Sequence, residues 1–143
     1  MTEATELALD VRPILAEGGE PFADIMAAAD RVAPGGVLVI TAPFEPVPLY
    51  GVMSKRGFGH RTTAVGAAEF VVRFTRLDIT ETSTVAEVYG RFPSTAPVLA
   101  RHGLDLCCGG AKQLGFVAEA HGLELPRLLA ELQDAALGGA GGA

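Results

Sequence analysis

The sequence predicts an α+β two-layer sandwich followed by a small all-α helical bundle, and two observations predict it. Strand-like and helix-like segments alternate in the first half, in the order β-α-β-α-β-β. In the second half, apolar residues recur at helical spacing instead. We therefore predict a sandwich domain over residues 1–78, a helical domain over 79–137 and a disordered Gly/Ala tail over 138–143. A short polar linker at residues 76–83 joins the two predicted domains.

Four segments of the first half have the pattern of strands. Residues 6–12 alternate apolar and polar side chains, which is typical of a half-buried strand. Residues 37–44 form a continuous apolar, β-branched run, which predicts a central strand covered on both faces. Residues 60–65 and 69–76 are separated by a short Gly-Ala-Ala segment and predict a β-hairpin.

Prolines and glycines delimit the two helices of the first half. The first is predicted to begin at Pro21, because a first-turn residue has no partner for its N–H group, and to run to Val32. The segment Pro34-Gly35-Gly36 is predicted to stop it. The second helix is predicted to follow Pro46 and to end near Gly57. We expect both helices on one face of the sheet.

The helices of the second half carry capping signals. Ser83 or Thr84, followed by Glu87, has the pattern of a capping box. Ser94 is placed to cap the next helix. A further helix is predicted to begin near residues 109–112, with one more after it.

A short internal echo links residues 101–106, "RHGLDL", to residues 120–125, "AHGLEL". We interpret it as a repeated helix stop. Each glycine would adopt the left-handed C′ conformation, and the leucine after it would pack back on the helix. His102 and His121 would then lie near the negative ends of their helix dipoles.

Composition and charge exclude several classes of function. The formal net charge is −6 and neither half has a basic face, so we expect no nucleic-acid partner. The longest apolar run, residues 35–44, is too short to cross a bilayer, so we expect no membrane contact. The N-terminal residues lack a secretory pattern. We therefore expect a cytoplasmic protein with reduced thiols.

Both cysteines, Cys107 and Cys108, are adjacent in the segment "LDLCCGGAKQL". A disulfide between neighbours is strained, so a structural bridge is a poor explanation. Burial as two small apolar side chains is one alternative. The other is a thiolate pair beside a predicted helix start, where the helix dipole would favour the charged form. Gly109 and Gly110 would then leave room for a metal, a cluster or a partner.

One chain supplies only part of a metal site. Tetrahedral zinc and iron–sulfur clusters usually need four protein ligands, and the chain has two cysteines. His102 and His121 could complete a mononuclear set, although the helix stops already account for them. Alternatively, two copies facing across a two-fold axis would supply four thiolates to one cluster.

The second half resembles the N-terminal domain of the ScdA/YtfE proteins, the repair-of-iron-centres family. The resemblance rests on "DLCCGG" at 105–110 and on Leu114, Ala118 and Gly122 in the segment after it. It implies a role in restoring iron–sulfur proteins damaged by nitric oxide or peroxide. The family's di-iron site lies in a haemerythrin-like bundle that this sequence lacks, so the resemblance transfers only the thiol site.

The first half resembles bacterial domains of unknown function related to the TusA/SirA fold. The segments "LDVR", "APGGVLVI" and "FEPVPLYGVMSKRGFG" carry the resemblance. Sulfur carriers of that fold present a cysteine where the first helix begins, but here Gly19-Glu20-Pro21 stands at that place. The motif Pro46, Pro48, Leu49, Tyr50 implies a binding surface or pocket, or simply a proline-started helix. His60 and Arg61 could serve such a pocket or could lie in a solvated loop.

Together these observations predict a homodimer that binds iron or an iron–sulfur cluster through Cys107 and Cys108, with Gly109 and Gly110 around the site. Its role would be the repair of iron–sulfur centres under nitrosative or oxidative stress. The first alternative is a thiol redox protein or persulfide sulfur carrier. The second is a metal-free module that docks on a haemerythrin-like or iron–sulfur protein partner. The sequence does not decide whether the protein is an enzyme.

Overall fold

A computed structural model of the chain describes residues 4–104 and 111–138. It divides into two compact units, of which the first holds the residues up to Tyr50 together with His60–Arg76. The second holds Gly51–Gly59 and the chain from Leu77 onward. The predicted α+β region followed by helices is confirmed. The boundary between residues 78 and 79 stays a prediction, and the Gly/Ala tail lies almost wholly outside the described residues.

The first 76 residues contain four strands and three helices among those described. In chain order they are β1 (Ala4–Asp10), α1 (Arg12–Ala16), α2 (Phe22–Asp30), β2 (Val32–Ala42), α3 (Val47–Lys55), β3 (Phe58–Gly66) and β4 (Glu69–Arg76). The short helix α1 was not predicted. The strands form one sheet in the order β1-β2-β4-β3, with β1 parallel and β4 antiparallel to β2. The predicted neighbouring pair β3 and β4 is therefore confirmed.

The central strand β2 has one buried face. Leu38 and Ile40 are fully buried, and the side chains between them, Val37 and Val39, are only half-buried. The prediction of a strand covered on both faces is wrong, because burial alternates along the strand as in a sheet with a single packed face. Helix α2 contacts β1 and β2.

The glycines after helix α2 lie inside the sheet. The helix ends at Asp30, and Val32, predicted as helical, is the buried first residue of β2. Pairing with β1 shifts register here, since Glu6 on β1 pairs with Val37. A Cβ on Gly36 would lie 2.9 Å from the carbonyl oxygen of Thr5. Gly36 is thus required by the close approach of β1, a long-range contact that local sequence does not reveal.

The second unit is built on four helices and a 3-10 turn among its described residues. They are α4 (Val85–Arg91), the 3-10 turn (Pro93–Thr95), α5 (Ala96–Arg101), α6 (Leu114–Ala120) and α7 (Leu125–Ala136). Their apolar faces enclose one core, whose fully buried members include Val88, Leu114 and Leu132. Within the described ranges, no helix is long and apolar enough to cross a membrane.

The predicted linker is part of this helical core. Leu77 and Ile79 are 5% and 0% exposed and pack in the core cluster. The hydroxyl of Ser83 accepts a hydrogen bond from the Thr80 N–H and donates one to the Asp78 carbonyl. Residues 77–83 therefore belong to the packed helical unit and do not form a free linker. Tertiary packing buries the two apolar residues of this otherwise polar segment.

One of the two capping predictions is confirmed. Thr84 accepts a hydrogen bond from the Glu87 N–H at 3.1 Å, and the Glu87 carboxylate accepts one from the Thr84 N–H at 2.8 Å. The Ser94 prediction is wrong. Ser94 lies in the 3-10 turn, and its hydroxyl donates to the Ala135 carbonyl of α7. The 3-10 turn, which the local sequence pattern does not reveal, precedes the helix, so the helix begins at Ala96.

Candidate functional site

The predicted site residues Cys107, Cys108, Gly109 and Gly110 lie outside the described residues. The site can therefore be built only from the chain segments that lead into it and out of it. Both segments belong to the helical unit.

The segment leading to the cysteines is the end of helix α5. Gly103 has a φ of +70°, and its N–H donates to the Ala100 carbonyl, while the Leu104 N–H donates to the Leu99 carbonyl at 2.8 Å. This pair of bonds is the Schellman stop that the echo predicts. Leu104 is 6% exposed and packs in the helical core. The backbone is thus fixed at the residue preceding Asp105.

The segment leaving the cysteines is held by backbone hydrogen bonds to residues 81–85. The Lys112 carbonyl accepts from the Val85 N–H, and the Leu114 N–H donates to the Ser83 carbonyl at 2.8 Å. Gln113 and Thr84 form an antiparallel β-bridge. These contacts place the former linker beside the exit of the cysteine segment.

The helix after the cysteines begins later than predicted. Its N-cap is Gln113 and its first residue is Leu114, with Ala111 and Lys112 outside the helix. The prediction of a start near residues 109–112 is wrong for the described part, because Ala111 and Lys112 are exposed, whereas Leu114 is buried in the core.

The two candidate histidines have different surroundings. The Nε2 atom of His102 lies 2.6 Å from Oε1 of Glu131 on helix α7. Arg101 and Arg127 lie 3.3 and 3.9 Å from the same carboxylate. The hydrogen bond to His102 is the main cause that lowers the pKa of Glu131. His121 is exposed, and within the described part of the chain its ring has no hydrogen bond or ion pair.

The cysteine side chains are ligands of the kind that iron or an iron–sulfur group takes. One chain has fewer of them than such a group usually needs. Thiolates are the ligands that iron–sulfur clusters take, and the chain has two of them. Residues 4–104 and 111–138 contain no group of three or more His, Cys, Asp or Glu side chains able to hold a metal. The residues of those ranges therefore do not form a metal site of their own.

The first unit brings two of its predicted residues together. The rings of Tyr50 and His60 stack with centroids 3.8 Å apart, and the buried ring of Phe74 lies against both. The Tyr50 hydroxyl donates to Glu45 at 2.9 Å and shares a hydrogen bond with Thr62. Partial burial is the first cause that raises the pKa of the Tyr50 phenol, and the bond to Glu45 adds to it.

The other residues of the predicted surface have simpler roles. Leu49 is buried, and the Arg61 guanidinium donates to the His60 carbonyl. Where sulfur carriers would present a cysteine, the Glu20 carboxylate accepts a hydrogen bond from the Phe22 N–H. A glutamate there cannot carry sulfur as a thiol does.

Sequence reasoning missed two groups of residues. Thr62 stands two positions after His60 on strand β3, and the two-residue period of a strand could have placed both on one face. Glu131 is separated from His102 by 29 positions, and nothing in the local sequence points to the pair.

Comparison with known proteins finds a family match in each half of the chain. Residues 8–76 match a family described as an uncharacterized conserved protein (DUF2249). Residues 81–136 match the ScdA N-terminal family, described as a domain of unknown function (DUF542), which is associated with iron–sulfur cluster repair. No solved structure matches the chain. The first region of the chain is therefore similar to the DUF2249 family and the second to the ScdA N-terminal family.

Proposed function

We propose that this protein binds iron or an iron–sulfur cluster through the thiolates of Cys107 and Cys108 and acts in the repair of iron–sulfur centres damaged by nitrosative or oxidative stress. The observation that carries the proposal is the match of residues 81–136 to the ScdA N-terminal family around the paired cysteines. Adjacent thiolates suit iron because both sulfurs are soft, anionic donors.

The anchored flanks support this proposal. Leu104 is fixed by the Schellman stop of α5, and Lys112 is fixed by its hydrogen bond from Val85. Seven residues, 105–111, connect these two fixed points. The proposed metal site therefore lies on a short piece of chain with both ends anchored, which limits the entropy cost of binding.

Ligand number favours two copies of the chain around one cluster. Each chain contributes two thiolates, and an iron–sulfur cluster usually takes four. A symmetric pair would supply all four from equivalent residues. His102 is a weaker candidate for the remaining ligands, because its Nε2 already bonds Glu131.

The test is anaerobic loading with iron and sulfide, followed by metal and sulfide analysis and visible absorption. We expect the wild type to retain iron and Cys107→Ser with Cys108→Ser to lose most of it. His102→Asn and His121→Asn are matched controls at equivalent positions of the two helix stops, and both should retain it. Loss of iron in His102→Asn alone would instead assign that ring as a ligand.

Repair activity needs its own measurement. The loaded wild type should restore activity to an iron–sulfur dehydratase inactivated by nitric oxide, and the double cysteine variant should not. A wild type that stays free of metal and monomeric would overturn the proposal.

Two other results would favour the alternatives. A mass increase of one sulfur atom on one cysteine, without bound iron, would indicate a persulfide carrier. Neither metal nor persulfide, together with binding to a haemerythrin-like protein, would indicate an interaction module.

A further inference from the structure

The sheet of the first unit has two faces with different exposure. On the packed face, Leu38 and Ile40 of the central strand β2 are 0% exposed. Side chains alternate along a strand, so Val37 and Val39 lie on the opposite face, where both are only half-buried. We call this second side of the sheet the open face.

The centre of the open face is apolar. The register places Ala8 of β1 beside Val39. Val71 of β4 stands beside Thr41, which belongs to the same face of β2. Paired residues of neighbouring strands point to one side of a sheet, so these apolar side chains share one patch with Val37. A contiguous apolar patch that stays on the surface is the usual mark of an interaction site.

Charged side chains border this patch on both sides. Glu6 and Asp10 of β1 and Arg73 of β4 are exposed and belong to the open face. The Nη2 atom of Arg73 lies 3.6 Å from Oε1 of Glu6, so this ion pair spans the central strand. Arg12, which follows β1, has its Nη1 atom 3.5 Å from Oε1 of Glu69, the first residue of β4. Each side of the patch therefore carries one arginine and at least one carboxylate.

A second copy of the chain matches these charges when a two-fold axis runs along β2. That axis places β1 of one copy against β4 of the other and keeps each residue at its level along the strands. Arg73 is level with Ala8, which stands between Glu6 and Asp10 on β1. In such a pair, Arg73 of each copy therefore faces the two carboxylates of the other.

The same axis matches the charges at the end of the patch. Arg12 and Glu69 each lie two residues beyond the level of Thr41, one on the β1 side and one on β4. Arg12 of each copy therefore faces Glu69 of the other. Every charge that borders the patch then has an opposite charge across the interface.

The other symmetric arrangement brings like charges together. With a two-fold axis across β2 at Val39, β1 lies against β1 and β4 against β4. Glu6 would then face Asp10 of the other copy, and Arg73 would face its own equivalent. Like charges in direct opposition are unfavourable, so the charges select the axis along β2.

We propose that the open face is the interface of a homodimer, in which a two-fold axis along β2 stacks the Val37 and Val39 patches of two copies. This interface needs no metal and is independent of the cysteine site. Four strands about 4.8 Å apart and roughly 30 Å long give a face of about 550 Å² per copy. A face of that size belongs to the small, transient class of interfaces, so we expect association in the micromolar range.

The first test is sedimentation velocity of the full chain carrying Cys107→Ser and Cys108→Ser, so that neither metal nor a disulfide joins two copies. We expect monomers at about 1 μM and mostly dimers at about 300 μM. Val39→Lys in this background should stay monomeric throughout, because its ammonium group would be buried in the interface without a partner. Val47→Lys is the matched control, since Val47 is an exposed valine of helix α3, and it should dimerise as the parent does.

A charge exchange tests the orientation without altering the apolar patch. Arg73→Glu and Glu6→Arg should each weaken the dimer about tenfold, and a mixture of the two variants should recover most of the loss as a heterodimer. Each variant also loses the ion pair within its own chain. Mixing cannot restore that pair, so recovered association reports contacts between two copies.

Three results would overturn the proposal. The first is a parent that stays monomeric at all these concentrations. The second is a Val39→Lys variant that has the circular dichroism of the parent and still dimerises. The third is a mixture of the charge variants that associates no better than either alone, and this result decides even where Val39→Lys does not fold. Iron binding is measured separately on the wild type, so failure here leaves the cysteine proposal to its own test.

Discussion

The two helix stops of the helical unit have the same backbone and different surroundings. At both, a glycine with positive φ follows a histidine C-cap, at +70° for Gly103 and +68° for Gly122. The leucine after each glycine donates back at 2.8 Å for Leu104 and 2.7 Å for Leu123. Leu104 is buried, however, and Leu123 only partly.

Their histidines differ still more. His102 bonds a carboxylate on another helix, whereas His121 is exposed. The local sequence specifies the backbone turn, because glycine and the last helical carbonyls are close in the chain. The contacts of each histidine side chain depend instead on which helix packs against it. The histidine of the stop that leads to the cysteines bonds a carboxylate of helix α7.

The largest expected difference concerns the two leucines. Leu104→Ala should lower the free energy of unfolding by about 3 kcal/mol, because it removes a buried side chain from the core. Leu123→Ala should lower it by about 1 kcal/mol, since that side chain is partly exposed. Urea denaturation of both variants measures the difference. Equal losses would mean that the two stops are equally buried in solution.

Substitution of the glycine at each stop should instead lower the free energy of unfolding by equal amounts. Gly103→Ala and Gly122→Ala each force a left-handed backbone on alanine, which costs about 1–2 kcal/mol. Among the described residues other than the direct chain neighbours, no atom lies within 4 Å of a Cβ built at either position, so these residues add no steric clash to the loss. Thermal unfolding should show the same decrease in Tm for both. A much larger loss for one glycine would contradict the shared backbone geometry.

The smallest expected effect is a dependence of stability on pH, which we expect only at the stop that contains His102. The folded pKa of Glu131 is lowered from its ordinary value of 4.5, mainly by His102. A lowered carboxylate pKa stabilises the fold above the unfolded value, and this contribution is lost as pH falls through the folded value. Because the pair is partly exposed, we expect about 0.5–1 kcal/mol.

Glu131→Gln measures that contribution. The variant should be less stable than the wild type at pH 6, and the difference should shrink as pH falls below about 4.5. Glu124→Gln, at the exposed N-cap of α7, is the matched control. A difference that stays constant with pH would exclude titration of Glu131 as its source.

Sequence reasoning predicted what depends on near neighbours. The capping box of Thr84 and Glu87 and both helix stops involve residues at most five positions apart, and all three are confirmed. The hairpin of β3 and β4 likewise follows from a short turn. Local hydrogen bonds and turn geometry determine such features whatever surrounds them.

Features set by distant contacts were missed or misplaced. Gly36 was predicted to end a helix, yet it lies in strand β2, where its missing side chain allows the β1 backbone to approach closely. Leu77 and Ile79 were placed in a polar linker, yet they are core residues. The Gln133 amide oxygen accepts a hydrogen bond from the Ser54 hydroxyl, 79 positions away, and no local pattern links them. The cysteine pair was identified from the sequence itself, whereas the anchoring of its flanks required the structure.

The most direct test of the central claim is X-ray absorption at the iron edge of the anaerobically loaded full chain. We predict scattering dominated by sulfur, which disappears along with the iron in the Cys107→Ser, Cys108→Ser variant. Iron held only by oxygen and nitrogen ligands, or bound equally by that variant, would contradict the assignment of the cysteine pair as the metal site.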